Sequence, residues 1–276
     1  MKRVAIAVAG GGTNVIGLRR ALRGIRRRLR AANVHVAAMV GTSAGGLAVL
    51  AEAFCTEAED ERIDSQLEGA CSRDRLIRGG PLTLATKGAW ATMEEFKRHA
   101  ALLLPGDPTL QQARVPVGCV VGDLWTQRPR LLSTWTTPLA RAWDVAAATA
   151  AIPLVFERQR VRGAGDDHEY VDGGVTKNLA ADELDHLGIP VIALRPAILP
   201  ATAKEPEGPM GRLLATAGLL HHAANHAWES DHPDSVVIDV PGGDGFDFDV
   251  DHTEAVRRRR IADVAAEAAR LPWGIP

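Results

Sequence analysis

Aromatic side chains are scarce in this chain of 276 residues: six tryptophans, five phenylalanines and one tyrosine make up 4% of it. Its core must therefore come from Ala, Val, Leu and Ile, within an apolar fraction of 46%. Cysteine is scarce too. Cys55, Cys71 and Cys119 are widely spaced with no C-x-x-C pair, which argues against a disulfide framework or a zinc site and fits buried thiols in a reducing compartment. No run approaches the roughly eighteen apolar residues a membrane span needs. Lys2-Arg3 followed by Val4 to Ala9 ends in three glycines, too short for the apolar region of a signal peptide. A cytoplasmic location is expected, with export by a route without a cleavable signal left open. A formal net charge of −2 gives no reason to expect nucleic acid as a partner. There is no repeat and no long low-complexity linker. The length suits one large α/β domain over residues 1–276.

Val4 to Ala9 has the continuous apolarity of a strand covered on both faces. Gly10-Gly11-Gly12-Thr13-Asn14 turns into a helix in which Leu18, Leu22, Ile25 and Leu29 form one inward stripe. Arg19, Arg23, Arg26 and Arg30 share the other side and are expected in solvent. A second apolar strand, Val34 to Val40, follows. From about residue 57 to 114 the pattern loosens, with a helix expected around Ala89 to Leu104, and this stretch reads as an insertion or lid over the sheet. In it Trp90, Met93 and Phe96 are expected to pack as ordinary interior.

Val115 to Leu124 and Arg130 to Thr134 read as strands, and Pro138 to Ala150 as a helix stopped by Pro153. Glu169 to Val171 is a short strand, followed by a helix at Ala180 to Leu187. Ile189 to Leu194 and Ser235 to Val240 are strands separated by a helix at Gly211 to Trp228. The last helix, Thr253 to Arg270, is expected to bury Ile261, Val264, Ala265 and Ala268 and to leave Arg257 to Arg260 solvated. Alternation of this kind predicts a three-layer α/β sandwich around a mostly parallel sheet.

The second strand runs into Gly41-Thr42-Ser43-Ala44-Gly45, the G-x-S-x-G pattern of a nucleophile elbow. Gly41 and Gly45 omit side chains where strand and helix come close, the turn lifts the Ser43 hydroxyl, and the following helix N-terminus offers amides to a developing oxyanion. A serine hydroxyl needs a base. If the base is histidine, the order Ser, acid, His points to His232 or His252. If it is a carboxylate, Asp172 ends a strand and Gly173-Gly174 let another group approach it closely.

Taken together, Gly10-Gly11-Gly12, Gly41-Thr42-Ser43-Ala44-Gly45 and Asp172-Gly173-Gly174 resemble the three signatures of patatin-like phospholipases. The segments Ala147 to Phe156 and Tyr170 to Leu179 are similar to that family's sequence ahead of and through its aspartate. The resemblance implies a lipid acyl hydrolase with a Ser-Asp dyad and no cofactor. By position, Ser43 is the nucleophile and Asp172 the base, with an oxyanion hole from Gly10, Gly11, Gly12 and Ala44. Gly41, Gly45, Gly173, Gly174 and Asn14 are in support. Its partners would be a lipid or other acyl ester and, transiently, a membrane surface. The family's G-G-G-x-R/K-G run departs here: Asn14 and Val15 stand where the basic residue and glycine are expected, with Asn14 still able to donate a hydrogen bond. Two other outcomes stay open, a catalytically silent lipid- or protein-binding member of the fold and a Ser-His-Asp α/β-hydrolase.

Other motifs point less far. The first glycine turn lacks the last glycine of G-x-G-x-x-G and has no acidic residue after the second strand, which argues against a dinucleotide. His222, His226, Asp231 and His232 lack the H-E-x-x-H arrangement, and Asp244, Asp247, Asp249 and Asp251 do not match a calcium loop, so no metal is expected.

Overall fold

The structure, a computed structural model, describes residues 1–69, 71, 86–104, 106–198, 228, 232, 235–243 and 250–275. Its centre is a mixed sheet in the order β4-β3-β2-β1-β6-β7. The strands are β1 (Lys2–Val8), β2 (Val34–Thr42), β3 (Val117–Asp123), β4 (Arg128–Ser133), β5 (Tyr170–Asp172), β6 (Val191–Ile198) and β7 (Val236–Gly242). β1, β2, β3, β6 and β7 run parallel, while β4 and the short β5 pair antiparallel with β3.

β1 shows why the sheet needs cover on both faces. Successive strand side chains point to opposite sides. Val4, Ile6 and Val8 join the larger core cluster beneath α1 (Val15–Ala31), whereas Ala5, Ala7 and Ala9 meet Leu179 to Ala181 and Leu184 on the other face. The second face is covered by the helix expected at Ala180 to Leu187, which is a 3-10 helix over Ala181–Leu187. Alanines on that face let the cover come close.

α1 buries Leu18, Leu22, Ile25 and Leu29 as its stripe predicts. Its arginine side departs from expectation, since Arg19 and Arg23 are 1% and 3% exposed. The cause is α3 (Asp60–Gly69), reached after α2 (Ala44–Phe54). Asp60 and Asp64, one helical turn apart, face α1 together. Arg19 pairs with Asp60 (2.5 Å), Asp64 and Glu52, Arg23 pairs with Asp60, and Arg26 pairs with Glu52 (2.7 Å). Arg30, paired with Glu57, is the member that stays in solvent.

Later in the expected insertion, α4 (Glu94–Leu103) is shorter than the pattern suggests; Met93 and Phe96 are buried and Trp90 is 43% exposed. α5 (Ala142–Thr149) follows β4, and α6 (His252–Ala268) ends the main body. α6 buries Ala255, Arg258, Ala262 and Ala266, one residue out of phase with the expected Ile261, Val264, Ala265 and Ala268 stripe; Val264 is 65% exposed. One residue is about 100° of rotation. The reason lies on α1, which presents Gly17 and Gly24 to α6 and draws its alanines inward: a Cβ on Gly24 would stand 2.8 Å from that of Ala266. The same rotation buries Arg258, which was expected in solvent. The helix read at Gly211 to Trp228 lies outside the described residues except for Trp228.

Candidate active site

Ser43 stands between β2 and α2 with φ 53° and ψ −123°, a backbone conformation that side-chain-bearing residues seldom take. The turn can form because a Cβ on Gly41 would lie 2.3 Å from the Gly45 carbonyl oxygen, and one on Gly45 would lie 2.1 Å from that of Val8. Any side chain at either place would push the turn apart. The Ser43 amide donates to Thr149 Oγ1 (2.9 Å), whose hydroxyl donates to the Val120 carbonyl (2.7 Å). α5 and β3 thereby hold the elbow from below.

Strand register brings the carboxylate to the serine. β2 places Thr42 beside Val120 of β3, and β3 places the next residue, Val121, beside Asp172 of β5. Ser43 and Asp172, 129 positions apart, thus flank the same stretch of β3, and Ser43 Oγ donates to Asp172 Oδ2 at 2.6 Å. The other oxygen, Oδ1, accepts from the Gly174 amide at 2.7 Å. Gly173 is needed for this approach, since a Cβ there would come within 2.3 Å of the Val120 carbonyl oxygen. Asp172 is 3% exposed and Ser43 8%. Burial pushes the Asp172 carboxyl up to about 7, against the downward pull of the Ser43 hydroxyl and the Gly174 amide.

The glycine turn after β1 closes the third side. A Cβ on Gly10 would be 3.0 Å from that of Ser43, so the turn lies directly against the elbow. The Gly10 amide donates to the Asn178 carbonyl (3.3 Å), so of the four expected oxyanion donors it is already engaged. Gly11, Gly12 and Ala44 remain, with Ala44 at the N-terminal end of α2 where the helix dipole adds to its amide. The Asn14 side chain was expected to be able to donate; its Nδ2 donates to the Gly243 carbonyl (3.1 Å), and its Oδ1 accepts from the Gly243 amide (3.0 Å).

The two histidines considered as bases are engaged elsewhere. His232 contacts Asp185 (3.2 Å) and the Trp228 carbonyl (2.8 Å), and the largely exposed His252 contacts Glu68 (3.2 Å). His222, His226, Asp231, Asp244, Asp247 and Asp249 lie outside the described residues; Asp251 caps α6 by accepting from the Glu254 amide. Cys55, Cys71 and Cys119 are buried free thiols. Thr149 and Asn178 were given no role by the sequence, because a threonine closing an alanine-rich helix and an asparagine after a lysine carry no pattern. Only the register identifies them.

The family model for the patatin-like phospholipase matches residues 6–185. The chain belongs to that family. No curated protein sequence matches the chain. Among solved structures it is similar to VipD from Legionella pneumophila, with a TM-score of 0.50 at 13% identity over 96% of this chain and 66% of that one. It is also similar to human GIVD cytosolic phospholipase A2 in complex with methyl gamma-linolenyl fluorophosphonate, with a TM-score of 0.47 at 11% identity over 96% of this chain and 57% of that one. A third is ExoU in its complex with SpcU from Pseudomonas aeruginosa, with a TM-score of 0.39 at 15% identity over 97% and 51%. The likeness to VipD is one of fold. This chain spans less than two thirds of each of these proteins. Among the described residues no helix is long and apolar enough to cross a membrane.

Proposed function

We propose that the chain is a serine-dependent lipid acyl hydrolase in which Ser43 is the nucleophile and Asp172 its general base. The observation that carries this reading is the 2.6 Å hydrogen bond from Ser43 Oγ to a carboxylate that is itself buried. A carboxyl group near its ordinary pKa is a weak base toward a hydroxyl, whereas one raised to about 7 is half ionised near neutrality and far more basic. In the first step Oγ bonds to the ester carbonyl carbon as its proton passes to Asp172 Oδ2. The carbonyl oxygen takes up negative charge and is met by the amides of Gly11, Gly12 and Ala44. The bond to the leaving alcohol then breaks, and Asp172 returns the proton to that alcohol, leaving an acyl ester on Ser43. A water molecule gives its proton to Asp172 as its oxygen attacks the acyl carbon. The bond to Oγ breaks, Ser43 recovers the proton and the fatty acid departs. Gly10 contributes closeness to Ser43 rather than a donor. The partner this chemistry calls for is an acyl ester presented at a lipid surface.

The test is product analysis by mass spectrometry from a mixed lipid extract, with labelling by a fluorophosphonate probe. Wild-type protein is expected to release fatty acid and to be labelled; Ser43→Ala should do neither, and Asp172→Asn should lose release by about a thousandfold or more. Folded wild-type protein that neither labels nor hydrolyses would make the chain a silent binder. A loss confined to His232→Ala or His252→Ala would replace the dyad with a histidine base.

A further inference from the structure

We infer that Arg258, on the last helix, is a positioning residue for the glycine turn, and that the Asn14–Gly243 pair is the second half of the same brace. This rests on the reading of Ser43 and Asp172 given above. The stretch Gly10 to Val15 has no ionisable side chain and contains three glycines. Its fold beyond the strand is a single 3-10 turn, Gly12–Asn14. Left to itself such a segment has much conformational freedom and few internal bonds. Yet oxyanion donors serve only if they are held within about half an ångström of the productive place.

Beyond the Gly10–Asn178 bond, further restraint comes from two places far along the chain. Arg258, 4% exposed, donates from Nη1 to Thr13 Oγ1 at 3.0 Å, and its Nε donates to Glu254 Oε1 at 2.8 Å. Arg257 first, and Arg258 with it, hold the Glu254 carboxyl down at about 2, so the guanidinium keeps an anionic anchor over the working pH range. Thr13 thus receives a charge-assisted hydrogen bond from a side chain with little freedom to leave. One residue later, Asn14 makes its two hydrogen bonds with the backbone of Gly243. These two contacts share one construction. A Cβ on Gly243 would lie 2.8 Å from Arg258 Nη2, and a Cβ on Gly242 would lie 2.3 Å from Asn14 Oδ1. Both glycines clear space for the side chains that grip the turn. Gly242, Gly243 and Arg258 all fall outside residues 6–185, the part matched by the family model. The C-terminal segment is therefore part of the site's construction.

The experiment compares Arg258→Met, Arg258→Lys, Thr13→Val and the Arg258→Met/Thr13→Val double variant by ester hydrolysis and by hydrogen exchange. Arg258→Met and Thr13→Val should each lower kcat about 10- to 100-fold, less than the roughly hundred- to thousandfold cost of removing an oxyanion donor outright, with KM within about twofold. The double variant should be no worse than the poorer single one, because both remove the same contact. Arg258→Lys should recover part of the loss. Exchange at the amides of residues 10–15 should quicken in the Met and Val variants while those of β1 and β2 stay protected. Folded variants with wild-type kcat, a change in KM alone, additive losses or unaltered exchange at residues 10–15 would each overturn the brace. If Arg258→Met does not fold, Thr13→Val decides, since it removes one hydroxyl. If wild-type protein proves inactive and unlabelled, the proposed function fails, and the exchange measurement still tests the brace.

Discussion

In the proposed mechanism Asp172 has to hold charge where water does not reach it, and this would set activity and stability against one another. Its carboxyl is raised to about 7 in the folded chain, against an ordinary value near 4 in the unfolded one. Between those values the folded state binds the extra proton, so stability falls as pH rises from about 4 through 7, while the basic form that the proposed mechanism requires accumulates. The rate of ester hydrolysis is expected to climb with an apparent pKa of about 7, measured as kcat/KM against pH. Asp172→Asn should remove the activity yet stabilise the protein at pH 8 by about 1 kcal/mol or more, seen as a higher Tm, because the amide carries no charge to bury. A lower Tm in that variant would mean that the carboxylate is better solvated than its 3% exposure indicates. Thr149 offers a second check. Thr149→Val leaves the buried Ser43 amide without its acceptor, and the expected cost is about 1–3 kcal/mol in denaturant unfolding together with a lower kcat.

Between elements, the contact of α1 with α3 is the place where side-chain patterning alone misleads. An arginine face on a helix ordinarily means solvent, and here α3 supplies carboxylates that cover Arg19 and Arg23. Breaking a buried pair from one side is costly because the partner charges stay behind. Arg19→Met is expected to destabilise the protein by about 3–5 kcal/mol, whereas the exposed pair of Arg30 with Glu57 should contribute less than about 1 kcal/mol when removed by Arg30→Met. Equilibrium denaturation of both variants would show the contrast. The elbow is the opposite case, legible from five residues, because its constraint is steric and local: the missing side chains of Gly41 and Gly45 are missing for reasons visible within the turn and the strand beside it. Even so, the distance to Val8 had to come from the fold.

Across the whole molecule, the sheet order predicts that the portion matched by the family model does not hold together on its own. β1 lies between β2 and β6, and α1 packs on α6, so a fragment of residues 6–185 would expose one edge of β1 and the glycine-bearing face of α1. That fragment is expected to show no cooperative thermal transition by circular dichroism, while the full chain melts as a unit. The strand and helix order was largely readable because continuous apolar runs mark buried parallel strands and a period near 3.6 marks amphipathic helices. The phase of α6 was not. Its alanines are weakly hydrophobic, and Ile261 and Val264 made the other side look like the interior until the glycines of α1 were placed opposite it.

Local chemistry, read from the chain alone, marked the three glycine-rich turns and the serine at the elbow, since each depends on neighbours within a few positions, but it left the base open between Asp172 and a histidine, and the resemblance to patatin-like phospholipases chose the aspartate. Folding decided the rest: that Ser43 meets Asp172 and neither histidine, that Gly10 spends its amide on Asn178, and that Arg258 turns inward to Thr13. Those outcomes depend on strand register and helix phase, which pair residues more than a hundred positions apart and leave no trace in the sequence around any one of them.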